Sequence, residues 1–263
     1  MLLKNKVYSI GLFLLISTIS GCGKEDTNTN NNTTPIDSFL VKSYNLYTGS
    51  KLDSLELSEN YTFQYNSSGQ VVSSLKTGYE NGIQVGTIKS NFTYSSNMVI
   101  EKMVSKYIGN NGIEITSYYK LNNQKLIETD SSIDPNNMSS SVRKYTYENN
   151  KRIYRYVQDT NNGGNIFQWT GNNQTEEFMK YGTMPRFLIM SHIYGTKKNK
   201  NSTGDFWNNG EKSENLPEKS VEPNYEYNYT YKMDSDGFVT EKITAISSPG
   251  GTPYRYEKIV YTR

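Results

Sequence analysis

Tyr225–Val239 reads YEYNYTYKMDSDGFV, and its alternation decides the fold. Tyr225, Tyr227, Tyr229 and Tyr231 fall on one side of an extended chain; Glu226, Asn228, Thr230 and Lys232 fall on the other. Successive side chains of a strand point to opposite faces, so a period of two marks a strand with one buried face. Four tyrosines at this spacing cover about 20 Å, long for a small sandwich and comfortable in a large sheet or barrel. The run breaks at Asp234-Ser235-Asp236-Gly237, whose residue types favour a tight turn.

Working outward, the same unit recurs: an alternating aromatic strand, a polar turn and a β-branched strand. Phe63, Phe92, Tyr119, Tyr145 and Phe167 occupy equivalent slots at steps of 29, 27, 26 and 22 residues, followed by a jump of 62 to Tyr229. The turns NSSGQ, SSN, NNQ, ENNK and TGNN are rich in residues that accept positive φ or bond back to the backbone. Helical periodicity is nearly absent after the N-terminal segment. The pattern predicts an all-β protein, an antiparallel meander of repeated hairpins curled or closed into a barrel-like sheet.

The meander is interrupted at 184–217. Within it, RFLIMSHIYG reads either as one short helix or as another strand, and the rest as a polar loop carrying Phe206 and Trp207. Long loops inside compact domains are often functional. Near the C-terminus, Tyr254 and Tyr256 give way to Ile259 and Tyr261, and this change of parity predicts a bulge near Glu257-Lys258.

The N-terminus has the layout of a secretory signal, with Lys4 and Lys6 ahead of an uncharged apolar run from Val7 to Ile19. That run is too short for a permanent span, which takes about 20 apolar residues. It ends in ISGC, which resembles the lipobox of bacterial lipoproteins, so Cys22 is the expected lipid attachment site. Cys22 is the single cysteine of the chain and cannot form an intramolecular disulfide. Residues 1–21 then form a lipoprotein signal peptide, 22–37 a polar flexible tether and 38–263 one β domain. Lys24-Glu25-Asp26 resembles the charged signal of surface-displayed Bacteroidetes lipoproteins. Asp53-Ser54-Leu55 is similar to the O-glycosylation signal of that phylum.

YNSSGQV (Tyr65 to Val71) resembles a tyrosine–aspartate (YD) repeat, with Asn, Gln and Val where the pattern has Asp, Arg and Leu. Asn215-Leu216-Pro217, followed by Tyr229, Tyr231, Asp234, Asp236, Gly237 and Phe238, is similar to an uncharacterised Bacteroidetes surface lipoprotein family. That family has a porin-like β fold and degenerate YD-type hairpin repeats. The resemblance implies fold and an outer-membrane location, at the cell surface or the periplasmic face; it carries no established activity.

Chemistry is sparse. Removal of residues 1–21 takes away two lysines and no acid, leaving 26 basic and 26 acidic residues. With no basic run, no nucleic-acid partner is expected. One histidine, His192, and no free thiol cannot build the common zinc sets or a Cys–His pair. His192 reads as a packing or surface residue. Asp234 and Asp236 open like a calcium loop, but its twelfth position is Ala245, so a turn is the simpler reading and no metal site is expected. Glu176-Glu177 reads as an exposed strand. Nucleotide and dinucleotide fingerprints are absent, and no cofactor is expected.

The leading expectation is a non-enzymatic, membrane-anchored binding or structural module. A glycan is its most concrete ligand, a surface protein another partner. Trp207, Phe206 and Trp169 are the candidate stacking rings. Two rivals stand beside it: a polysaccharide hydrolase with a carboxylate pair inside the barrel, and a lipid or lipoprotein carrier.

Overall fold

The computed structural model describes residues 40–109, 112–133, 140–158, 163–200 and 212–263. The expected signal peptide, the tether, Cys22, Phe206 and Trp207 lie outside these residues. Sixteen strands follow one another in a simple meander. They are β1 (Ser43–Gly49), β2 (Glu56–Tyr65), β3 (Val71–Glu80), β4 (Ile83–Tyr94), β5 (Met98–Tyr107) and β6 (Ile113–Leu121). Next come β7 (Ile127–Ile133), β8 (Ser140–Glu148), β9 (Lys151–Gln158), β10 (Gly163–Thr170) and β11 (Asn173–Tyr181). The last are β12 (Phe187–Lys198), β13 (Asn215–Val221), β14 (Glu226–Met233), β15 (Val239–Ser247) and β16 (Arg255–Thr262). Each strand pairs antiparallel with its neighbours, and β1 pairs with β16 from Ser43↔Thr262 to Gly49↔Tyr256. The sheet is a closed barrel that needs nothing before residue 40 to close.

Of the two readings left open for the apolar run inside 184–217, the strand is the one found: β12 pairs with β11 and β13, and no helix occurs among the described residues. One sequence expectation is corrected. The bulge near Glu257-Lys258 does not occur, because β16 keeps unbroken register with both neighbours. Tyr256 simply takes the opposite face from Tyr261; it pairs with Ala245 and Gly49, whereas Tyr261 pairs with Tyr44.

Burial assigns the two faces. Tyr44, Phe92, Val99, Tyr119, Phe167, Tyr227 and Tyr261 are buried and share one parity, the inner wall. Tyr225 and its three partners of the opening motif lie on this side, the first of them exposed at the barrel mouth. The outer wall is different. One hydrogen-bonded row across eight strands reads Lys232, Glu241, Val260, Asn45, Asn60, Thr77, Thr87 and Lys106. A second reads Gln64, Ser73, Asn91, Lys102 and Thr116. A barrel that spans a membrane needs an outward apolar band about 25 Å tall. These two rows are polar; a third outward row, Tyr154, Ile166, Phe178 and Leu188 across β9 to β12, is apolar.

The two ends differ as well. At one end lie the short turns, which reuse one device. Asn66 Oδ1 accepts from the backbone N–H of Ser68 and Gln70, Asn122 Oδ1 from Gln124 and Leu126, and Asp234 Oδ1 from Asp236 and Phe238. The third of these turn positions needs positive φ, supplied by Gly69, Lys125 and Gly237. Asp234 is thereby committed to its turn, as expected. Leu40, where the described chain begins, sits at this same end, with Lys42 N–H donating to Thr262 O at 2.7 Å. At the opposite end, the mouth, an apolar rim is exposed: Leu52, Ile83, Ile108, Met184 and Phe187 stand at four connections, the last two at that between β11 and β12.

Candidate functional site: the inner wall

The inner wall is built in tiers. Next to the turns, an aromatic side chain of one hairpin donates to a backbone carbonyl of the hairpin before it. Tyr94 Oη reaches Val71 O at 2.8 Å, Tyr147 Oη reaches Ile127 O at 2.8 Å and Trp169 Nε1 reaches Arg152 O at 2.8 Å. Tyr194 Oη reaches Gln174 O at 2.6 Å and Tyr231 Oη reaches Pro217 O at 2.8 Å. Each of these acceptors sits at a register shift of its own hairpin. A bulge takes a residue out of the ladder, and a carbonyl near it then needs another donor. The hairpin of β4 and β5 has no shift, and the aromatic slot that follows it is filled by Leu121, which has no donor.

This tier explains the jump of 62. Phe63-x-Tyr65, Phe92-x-Tyr94, Tyr145-x-Tyr147 and Phe167-x-Trp169 recur as His192-x-Tyr194 and Tyr229-x-Tyr231. The jump is two steps of 25 and 37 residues, with His192 in the aromatic slot. Trp169 is therefore a member of the tier, its N–H spent on a backbone carbonyl. Its ring also borders an open cleft of about 430 Å³, with Glu148, Lys151 and Glu176.

Beyond the aromatics runs a belt of charged and amide groups. Ser90 Oγ and Tyr119 Oη both donate to Glu101 at 2.6 Å. Arg143 Nε pairs with Asp130 at 2.8 Å, and Tyr145 Oη donates to the same carboxylate. Arg155 donates to Asn165 Oδ1 at 2.9 Å, and Asn165 Nδ2 donates to Glu177 Oε1 at 2.5 Å. Glu177 is thus an inner-wall residue, correcting the exposed-strand reading of Glu176-Glu177. Burial raises its pKa and the charge of Glu222 adds to that, against Arg155 and the Asn165 hydrogen bond. Burial raises Glu222 too. Tyr227, in contrast, lowers the pKa of Glu222 through a hydrogen bond.

A third cluster holds His192, which the sequence did not place at a site. Its Nδ1 lies 2.7 Å from Ser220 Oγ, which also accepts from Tyr229 Oη at 3.1 Å. The ammonium of Lys242 stands 4.5 Å from the centre of the Tyr229 ring. Burial, and then the charge of Lys242, push the His192 pKa down to about 4. Burial pushes Lys242 down to about 8, against the attraction of Glu257. Among the described residues no group of three or more His, Cys, Asp or Glu side chains forms a metal cluster.

No family model matches the chain, and no curated protein matches it. Among solved structures, a porin-like protein from Bacteroides uniformis superposes with a TM-score of 0.61 at 13% identity, covering 84% of this chain and 97% of its own. A porin-like protein from Bacteroides vulgatus is matched at 8% identity with a TM-score of 0.31, over 85% of this chain and 98% of its own. The chain shares the barrel fold of the first.

Proposed function

We propose that this protein is a non-catalytic binding module of the outer membrane of a Bacteroidetes-type cell, anchored through lipidated Cys22 and holding a glycan against its inner wall. The family of surface lipoproteins with degenerate YD-type hairpins is the group it resembles in sequence. The observation that carries the reading is the division of labour between the faces. Flat aromatic rings and hydrogen-bonding groups line the inside, the two kinds of contact that saccharides use. Lysines and amides interrupt the outer wall in the rows through Asn45 and Lys102, where a spanning barrel carries lipid-facing side chains, and this supports membrane attachment through an acyl anchor. Cys22 precedes Leu40, which enters the barrel at the turn end. Trp169, beside its cleft, is the expected stacking ring within the described residues. A glycan array on fragment 38–263 tests the binding, and the mass of the N-terminal peptide from the native host tests acylation of Cys22.

A second reading, a polysaccharide hydrolase, is favoured by one observation: the carboxylates Glu177 and Glu222 are both held towards protonation by burial, as a general acid requires. Release of reducing ends from a polysaccharide panel, lost in Glu177→Gln, would establish it. The charged inner belt weighs against the lipid carrier.

A further inference from the structure

Lys242 lacks the carboxylate partner that three other cations of the inner wall have. Lys76 pairs with Glu59 at 2.6 Å, Arg143 with Asp130 at 2.8 Å and Arg255 with Glu257 at 2.9 Å. Among the described residues, the close partner of the Lys242 ammonium is a ring face, that of Tyr229. Glu257, the acid whose charge reaches Lys242, is already held by Arg255. An ammonium has three N–H donors, and a ring face attracts its charge without offering a lone pair. Among the described residues the ammonium makes no ion pair or hydrogen bond, and the half-buried side chain remains within reach of a solute in the barrel interior.

Beside it, a short relay creates a second donor. Tyr229 Oη donates to Ser220 Oγ, so the Ser220 proton is free to go to His192 Nδ1, 2.7 Å away. A neutral imidazole that accepts at Nδ1 carries its own hydrogen on Nε2. Among the described residues His192 is hydrogen-bonded through Nδ1 alone, and its half-buried ring leaves Nε2–H within reach of a solute. His192 feels the Lys242 charge, so the two donors share one region of the inner wall. Donors without acceptors, one of them cationic, are complementary to an anion.

We propose that Lys242 and His192, positioned by Tyr229 and Ser220, form an anion site that takes the carboxylate or sulfate group of an acidic sugar. The sugar part rests on the glycan-binding reading above; the anion site stands without it. An anion here gives Lys242 its missing counter-charge and accepts from His192 Nε2. It also makes protonation of the imidazole easier. The neighbouring belt supplies neutral donors and ring faces for the rest of a saccharide.

The chain has one histidine, so the imidazole C–H resonances of untagged fragment 38–263 report this site alone. Sodium sulfate and sodium glucuronate are titrated in turn against sodium chloride at constant ionic strength. A saturable shift is expected, with the His192 pKa rising by about one unit or more at saturation. Lys242→Met weakens the binding by about tenfold or more, and Lys242→Arg keeps it saturable. Saturation by sulfate alone assigns the site to a sulfated ligand, and by glucuronate alone to a uronic acid; either supports the proposal. A shift that does not saturate, or that Lys242→Met leaves unchanged, overturns it. Should Lys242→Met fail to fold, Ser220→Ala is read instead; it frees the imidazole to rotate and must weaken the same titration. A blank glycan array would remove the sugar reading while a saturable sulfate shift still stood, so the two failures are distinguishable.

Discussion

The hydroxyl of Tyr94 donates to the backbone carbonyl of Val71, 2.8 Å away and in the preceding hairpin. Val71 is fully buried, at a register shift between β2 and β3. Tyr94→Phe keeps the ring and removes this hydrogen bond to the Val71 carbonyl, at an expected cost of about 1–3 kcal/mol. Urea unfolding of fragment 38–263 measures this. Tyr47→Phe, on the outer wall, is expected to change stability by less than about 0.5 kcal/mol.

The hairpin joining β8 and β9 turns on Asn149 and Asn150, at φ of 49° and 61°. A two-residue turn with both φ positive prefers Asn-Gly, the pair already present as Asn81-Gly82. Asn150→Gly is expected to stabilise the barrel by about 0.5–1 kcal/mol by removing left-handed strain. An unchanged or lower unfolding midpoint would count against this reading of the turn.

His192 gives the stability a pH signature. Its folded pKa, about 4, lies below the ordinary value of 6.5. Between these values the unfolded chain takes up a proton that the folded chain refuses. The imidazole therefore costs nothing above pH 6.5, weakens the fold as pH falls below it, and reaches its full effect below pH 4. By pH 4.5 the loss amounts to about 2–3 kcal/mol. Comparing the pH slope of wild type with that of His192→Gln isolates the term from the acid loss of carboxylates such as Asp234. Parallel slopes would show that the imidazole titrates normally.

The outer rows make a solubility prediction. A side chain such as Lys102 at the middle of a lipid-facing wall would cost about 2–4 kcal/mol. Fragment 38–263 is expected to stay dispersed without detergent, and sedimentation measures this directly. Removing the rim residues Ile83 and Ile108, by exchange to serine, should lower binding of an apolar dye without lowering stability. A fragment that folds only in detergent micelles would contradict the wall assignment.

Much of this fold was legible in the residues. The alternation in β14 gave the strand, its two faces and the turn at Asp234. The repeated aromatic slots gave the meander. Closure was left open because it rests on the pairing of β1 with β16, the two ends of the meander, and no local pattern encodes that contact. The run in β12 was ambiguous because a short apolar stretch fits helix and strand alike; the pair His192-x-Tyr194 carried the repeat signal. The supposed bulge at Glu257 failed because a tyrosine can face water, as Tyr256 does.

The site was less legible than the fold. Glu177 could be separated from Glu176 only by parity, and a register shift beside Glu177 blurs that count. Lys242 lies beyond the shift between Lys232 and Met233, so alternation counted from the turn misplaces it. His192, Ser220 and Lys242 come together from three strands. Their meeting depends on register, which the sequence does not spell out.

The central claim is that this barrel uses its inner wall to bind. It is tested most directly by a glycan array run in parallel on fragment 38–263, an inner-wall double variant, Arg155→Ala with Lys242→Met, and an outer-wall variant, Lys102→Ala. Retention of a glycan by the parent and by Lys102→Ala, with loss in the inner-wall variant, is the expected result. A parent that retains nothing, or an inner-wall variant that retains the same glycans, would contradict the claim.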